Sequence, residues 1–164
     1  MTDKRELRRT IRARRLAMTV NEVETKSRVI ADKLISLVDW PRVRAMHIYA
    51  SRAGWNEVDT APVIRLVRKH WPAVRIVQPP PRPDLVLPEG KFDLIIIPCL
   101  GFAEDRHRLG LGGGWYDRFL VRQPQALKIG LAFQNGLIES GLPREPHDIR
   151  LDKIITEEVI MEAR

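Results

Sequence analysis

A chain of 164 residues with a net charge of +7 and one cysteine is long enough for a single domain that buries roughly two thirds of its unfolded surface. Cys99 alone excludes an intramolecular disulfide and a cysteine-based zinc site, and no apolar stretch approaches the roughly 20 residues of a membrane span, so a soluble protein of the reducing cytoplasm is expected. The surplus charge asks for an acidic partner, and nucleic acid, a polyanionic small molecule and an anionic membrane surface all answer to it.

From Asp3 to about Met18 the residues are good helix formers, with Leu7, Ile11 and Met18 spaced for one apolar face. Lys4, Arg8, Arg12 and Arg15 form a neighbouring cationic row, which repels itself by a few tenths of a kcal/mol per pair unless an anion lies against it. The spacing leaves open whether this is a binding row or a solvated face. Thr19 followed by Glu22 is a capping-box pattern, and Val23, Ile30, Leu34, Leu37 and Val38 trace a second helix ending near Trp40-Pro41.

Val43 to Ala50 reads as a strand, followed by the polar loop Ser51 to Glu57. Loops at the carboxyl ends of parallel strands are where open α/β sheets bind ligands. Glu57 is placed either to hydrogen-bond an amino-bearing heterocycle or to support the next helix start. Asp59 or Thr60 caps a predicted helix from Ala61 to about Trp71, with Pro62 in its first turn and Val63, Leu66 and Val67 toward the core. A strand over Val74 to Val77 stops at Pro79-Pro80-Pro81, with Pro83 and Pro88 shortly after.

The apolar run Phe92 to Pro98 has the character of a doubly buried parallel strand. Beyond it comes Arg108-Leu109-Gly110-Leu111-Gly112-Gly113-Gly114-Trp115-Tyr116-Asp117-Arg118, in which four glycines in five positions strip the Cβ atoms from one loop so that a ligand can approach the main chain. A helix predicted from Trp115 through Val121 places its amino end beside them, where an anion is favoured. No Gly-Lys-Ser/Thr follows, as a Walker loop requires, and Trp115 stands where a dinucleotide fingerprint has its third glycine. Ala126 to Phe133 offers a further buried strand, Pro143 to Asp148 a polar turn with Glu145, His147 and Asp148, and Leu151 to Thr156 a last short strand. Alternating strands and helices imply a layered α/β fold with a largely parallel sheet.

Four blocks, in order along nearly the whole chain, resemble the 5-formyltetrahydrofolate cyclo-ligases, also called methenyltetrahydrofolate synthetases. They are Lys4-Arg5-Glu6-Leu7-Arg8; Glu57-Val58-Asp59-Thr60; Asp93 to Asp117 with its glycine loop; and Pro146-His147-Asp148-Ile149 with Leu151-Asp152. The resemblance implies one αβα domain over residues 1–164, Rossmann-like, in which ATP phosphorylates the formyl oxygen of 5-formyltetrahydrofolate, folate N10 attacks the activated carbon, and phosphate departs to leave 5,10-methenyltetrahydrofolate. It implies that Lys4 and Arg8 grip ATP phosphates and that Arg108, Leu109, Gly110, Leu111, Gly112, Gly113, Gly114, Trp115 and Tyr116 wrap the nucleotide. Asp117 and Asp148 would hold Mg²⁺, a hard cation suited to carboxylate oxygen. Ala50, Glu57, Gly112, Gly114 and Trp115 would meet the folate, His147 would be a surface turn residue, and the protein would act as a cytoplasmic monomer on a small reduced folate, with neither membrane nor nucleic acid as partner.

The chain departs from that pattern in one place, since only Gln78 to Lys91 spans a gap where the family usually carries a longer stretch with an additional hairpin-like portion. Two other readings stand beside the ligase: a family relative that binds ATP but acts on another substrate or has lost catalysis, and a nucleic-acid-binding module built on the basic helix. Aromatics for base stacking are absent from the first 39 residues, which argues against single-strand recognition by that helix.

Overall fold

The computed structural model describes residues 3–79 and 86–163. Helix α1 (Lys4–Leu16) and helix α2 (Val20–Leu37) open the chain, and strand β1 (Ala45–Ile48), helix α3 (Ala61–His70) and strand β2 (Arg75–Val77) follow. Next come β3 (Leu94–Pro98), the two-residue strands β4 (Gly101–Phe102) and β5 (Arg108–Leu109), helix α4 (Trp115–Val121), β6 (Leu127–Leu131), β7 (Lys153–Ile155) and β8 (Ile160–Glu162). The proline-rich segment is described only at its two ends, so Pro80, Pro81 and Pro83 lie outside the described residues.

Six strands form one sheet in the order β2-β1-β3-β6-β7-β8, parallel throughout except for β8, which runs antiparallel to β7. Side chains alternate across it as strand geometry demands. Met46, Ile48, Leu94, Ile96, Ile129 and Leu131 pack with Ile30 and Leu34 of α2 and Val63 and Val67 of α3. On the opposite face Ala45, Ile95, Ile97 and Ile154 pack with Trp115, Phe119 and Leu120 of α4. The αβα layering expected from the alternation of elements is therefore present, with helices on both faces of a mainly parallel sheet.

The capping box forms as expected, with Glu22 N donating to Thr19 Oγ1 at 3.2 Å and Thr19 N to Glu22 Oε2 at 2.7 Å. Asp59, not Thr60, supplies the side-chain acceptor at the start of α3, taking the Ala61 amide at 3.0 Å. Two expectations need correction. Leu151 to Thr156 does not hold the last strand, because the exposed β8 returns beside β7. The chain between β3 and the glycines also forms a small antiparallel hairpin, β4 with β5, on which α1 rests through Leu7 and Ile11 against Leu100, Leu109, Ile138 and Leu142. Among the described residues no helix is long and apolar enough to cross a membrane.

Candidate active site

From β1 the chain crosses through α3 to β2 on one side, while β3 lies on the other, so the strand order reverses between β1 and β3. That is where an open α/β sheet leaves a crevice at its carboxyl edge. Tyr49 and Ala50 leave β1 there, and Pro98 and Leu100 mark the end of β3. The hairpin swings the glycine loop over the crevice, and α1 closes its side. The result is a cleft of about 780 Å³ whose wall takes in Lys4, Arg8, Ala50, Glu57, the run Arg108 to Asp117, and Asp148. The structure thus brings every site residue expected from the sequence to one cavity.

Its glycine side is conformationally demanding. Gly112 and Gly114 have φ of +104° and +63°, which side chains other than glycine's rarely adopt. Gly110 and Gly113 have open space where a Cβ would stand. Arg8 Nε donates to the Gly110 carbonyl at 2.9 Å and an Arg118 nitrogen to the Gly113 carbonyl at 2.9 Å, so two loop carbonyls are already occupied by arginines. Arg108 is nearly buried and sits 3.1 Å from Asp117 Oδ1, yet its Nε has no partner, and neither has the buried Tyr116 hydroxyl. Burial pushes the Tyr116 phenol well above its usual range, so it remains a donor.

The acidic residues do not gather into one naked cluster. Asp117 Oδ1 holds Arg108 and accepts the Ile149 amide at 3.4 Å. Asp148 Oδ2 accepts from Lys4 Nζ at 2.7 Å and from Glu145 N at 2.8 Å. Burial alone would raise the Asp148 carboxyl, but these bonds outweigh it and hold the group below the usual carboxylate range. Among the described residues the group whose donor atoms come within 4.8 Å of one another is Glu145, His147 and Asp148, and Asp117 is not part of it. His147 is exposed in the turn, with Nε2 3.0 Å from Glu145 Oε2.

The other side of the cleft carries Trp55, Trp115 and Glu57. Glu57 is buried, and its Oε2 accepts the Arg52 amide at 2.8 Å. Trp55 lies between two guanidinium groups, 4.2 Å from Arg12 and 4.7 Å from Arg52. Trp115 reaches the cavity from the core: it packs on His47, Tyr116 and Phe119 and gives its indole N–H to the Val86 carbonyl at 3.1 Å. Tyr49 donates to the Val58 carbonyl at 2.8 Å, which fixes the segment leading out of Glu57.

Sequence reasoning did not assign Tyr49, Leu100 or Arg15 to the site. Arg15 carried a signal as the last member of the cationic row. The row does not act as one stripe: Lys4, Arg8 and Arg15 line the cleft, while the exposed Arg12 stacks on the ring of Trp55.

The chain is similar to known proteins along most of its length. The model of the 5-formyltetrahydrofolate cyclo-ligase family matches residues 65–157. The 5-formyltetrahydrofolate cyclo-ligase of Mycoplasma pneumoniae is 30% identical over 170 residues, covering 95% of this chain and 99% of that protein. The mouse protein of the same name is 27% identical, covering 94% of each chain. Among solved structures, a 5,10-methenyltetrahydrofolate synthetase from Mycoplasma pneumoniae superposes with a TM-score of 0.80 at 27% identity, over 95% of this chain and 99% of that one. One from Aquifex aeolicus gives 0.77 at 26% identity, over 97% and 92%.

Proposed function

Because the chain belongs to the 5-formyltetrahydrofolate cyclo-ligase family, we propose that it converts 5-formyltetrahydrofolate to 5,10-methenyltetrahydrofolate at the expense of ATP, with Mg²⁺. The observation that carries this reading is the juxtaposition in one cleft of a cation-ringed glycine loop and a tryptophan-lined side holding the buried Glu57 carboxylate. A phosphoryl donor and a planar amino-bearing heterocycle are the two ligands such halves suit.

In the reaction, the γ-phosphoryl group of ATP passes to the formyl oxygen and ADP is released. Folate N10 then attacks the formyl carbon, and the formyl oxygen leaves with inorganic phosphate as the ring closes. Lys4, Arg8 and Arg108 neutralise phosphate charge, and Gly110 to Gly114 let the phosphates approach the main chain. Leu109, Leu111, Trp115 and Tyr116 flank the nucleotide. Glu57, with Ala50 and the Gly112, Gly114 and Trp115 edge, holds the folate ring. The unpartnered Arg108 Nε and the open space at Gly110 and Gly113 fit a polyanion there.

Asp117 and Asp148 would hold Mg²⁺. Both carboxylates already carry cationic partners, Arg108 and Lys4, and Asp148 is held ionised, the state a hard cation requires. The ion, when bound, supplies further neutralisation of phosphate charge. The working unit in this reading is one monomeric domain of residues 1–164, in a cytoplasm where the buried Cys99 thiol stays reduced.

The folate reading is kept beside the short Gln78 to Lys91 segment because the likeness to a cyclo-ligase runs nearly end to end. A relative that aligns over 170 residues, taking in 99% of its own length, bears the cyclo-ligase name. Of the basic helix, Lys4, Arg8 and Arg15 turn inward to the cleft, while Arg5, Arg9, Arg12 and Arg14 stay exposed. The test is spectrophotometric: purified protein with 5-formyltetrahydrofolate, ATP and Mg²⁺ should generate methenyltetrahydrofolate absorbance that an ATP-free control lacks. ATP binding without product would leave the nucleotide half standing and overturn the folate half.

A further inference from the structure

Arg15 lies in the last turn of α1, is 4% exposed, and lines the cleft, yet its buried Nε and one terminal nitrogen have no hydrogen-bond partner. Guanidinium groups are rarely taken out of water without an acceptor, because each unmet donor forfeits its bond to solvent. Glu57 is the charge whose attraction offsets that burial most, while Arg12 and Arg52 oppose it. Glu57 does not absorb Arg15, however. Its carboxylate takes the Arg52 amide at 2.8 Å and lies 3.9 Å from Arg52 Nε.

The cleft therefore presents a buried acceptor and a buried donor fork that are not spent on one another. They are also held in fixed relation. Asn56, the residue before Glu57, donates from Nδ2 to the carbonyl of Arg15 at 3.0 Å and to that of Met18 at 2.9 Å, pinning the Glu57 loop to the end of α1. Arg15 is far from the phosphate side: it follows Lys4 by eleven residues on one helix, a separation of about 16 Å.

Resting on the folate reading above, we propose that Arg15 is a substrate-binding and specificity residue that donates to the ring carbonyl of the reduced pterin. Glu57 accepts from the neighbouring ring N–H and amino group. A lactam edge alternates donor and acceptor, and the carboxylate and guanidinium together read both. A heterocycle with an amino group in place of the carbonyl would turn donors toward the Arg15 fork and leave it unsatisfied.

The test is binding without ATP, followed by the fluorescence of Trp55 and Trp115 at the cleft. Wild-type protein is titrated with 5-formyltetrahydrofolate and with its analogue carrying a 4-amino group, and Arg15→Gln with the same two ligands and with ATP. Arg15→Gln should weaken 5-formyltetrahydrofolate binding by roughly tenfold to a hundredfold, leave ATP affinity unchanged, and lose the preference for the 4-oxo compound. The wild-type preference for the 4-oxo ligand keeps the proposal testable if the variant fails to fold. Equal wild-type affinity for the two ligands, or an Arg15→Gln defect in ATP binding alone, overturns the assignment. No wild-type binding of 5-formyltetrahydrofolate while ATP binds overturns the folate reading beneath it.

Discussion

Arg8 donates its Nε–H to the carbonyl of Gly110 across 2.9 Å, joining the first helix to a loop 102 residues further along. The side chain thus does two things at once: it fixes the loop and brings a positive charge to it. Arg8→Ala should raise the KM for ATP by about tenfold or more, a loss comparable to one charge-assisted hydrogen bond. Arg8→Lys should recover only part, because an ammonium restores charge without the planar fork. Initial rates at varied ATP and saturating folate measure both, and full recovery by lysine would reduce the role of Arg8 to charge alone.

Asp117 is the counter-ion of the nearly buried Arg108 as well as a proposed metal ligand. As a metal ligand alone, Asp117 replaced by Asn would impair Mg²⁺-dependent turnover with the fold untouched. The ion pair changes that expectation, since neutralising the carboxylate leaves a buried guanidinium less well compensated. The variant should lose about 1–3 kcal/mol of stability in denaturant titration as well as activity at limiting Mg²⁺. Unchanged stability would show that Arg108 finds another partner, and unchanged Mg²⁺ dependence would remove Asp117 from the metal site.

The loop glycines separate backbone demand from ligand space. Gly112 requires positive φ, so Gly112→Ala should cost roughly 1–2 kcal/mol of stability. Gly113 has no atom near its absent Cβ, so Gly113→Val should leave stability within about 0.5 kcal/mol while crowding the cleft and weakening ATP. Calorimetric melting with and without ATP resolves the pair. Equal melting loss in both variants would contradict the distinction.

His47, in the core strand β1, is fully buried among Phe92, Trp115, Tyr116 and Phe119, and burial lowers its pKa to about 4. In the unfolded chain the group titrates near its ordinary value of about 6.5. As pH falls below that value the unfolded state takes up a proton that the folded state refuses. Stability contributed by the neutral ring is complete above pH 6.5 and declines toward pH 4, by about 3 kcal/mol in all. His47→Gln should flatten that part of the stability profile between pH 6.5 and pH 4. An unchanged slope would place the titration elsewhere.

The glycine loop, its bracketing arginines and the strand before it were legible because each signal is local: φ freedom, charge and a run of apolar residues. The Thr19–Glu22 capping box was legible for the same reason. Arg15 was not, because burial of one member of a cationic row depends on how α1 tilts onto Leu100 and Leu109, a contact made only after the chain has folded back. Nor was the occupancy of Asp117 and Asp148 by Arg108 and Lys4, partners whose pairing requires the finished cleft. Strand β8 and the β4–β5 hairpin are too short, at two or three residues each, to show the alternation by which strands are read.

In the proposed reaction the terminal phosphate of ATP meets the formyl oxygen of the folate within the cleft. That transfer is tested most directly by supplying 5-formyltetrahydrofolate labelled with heavy oxygen in the formyl group and analysing the phosphate released during turnover. Inorganic phosphate should carry one labelled oxygen for each methenyltetrahydrofolate formed, with ADP unlabelled. Product formed with unlabelled phosphate, or with no ATP consumed, would contradict it.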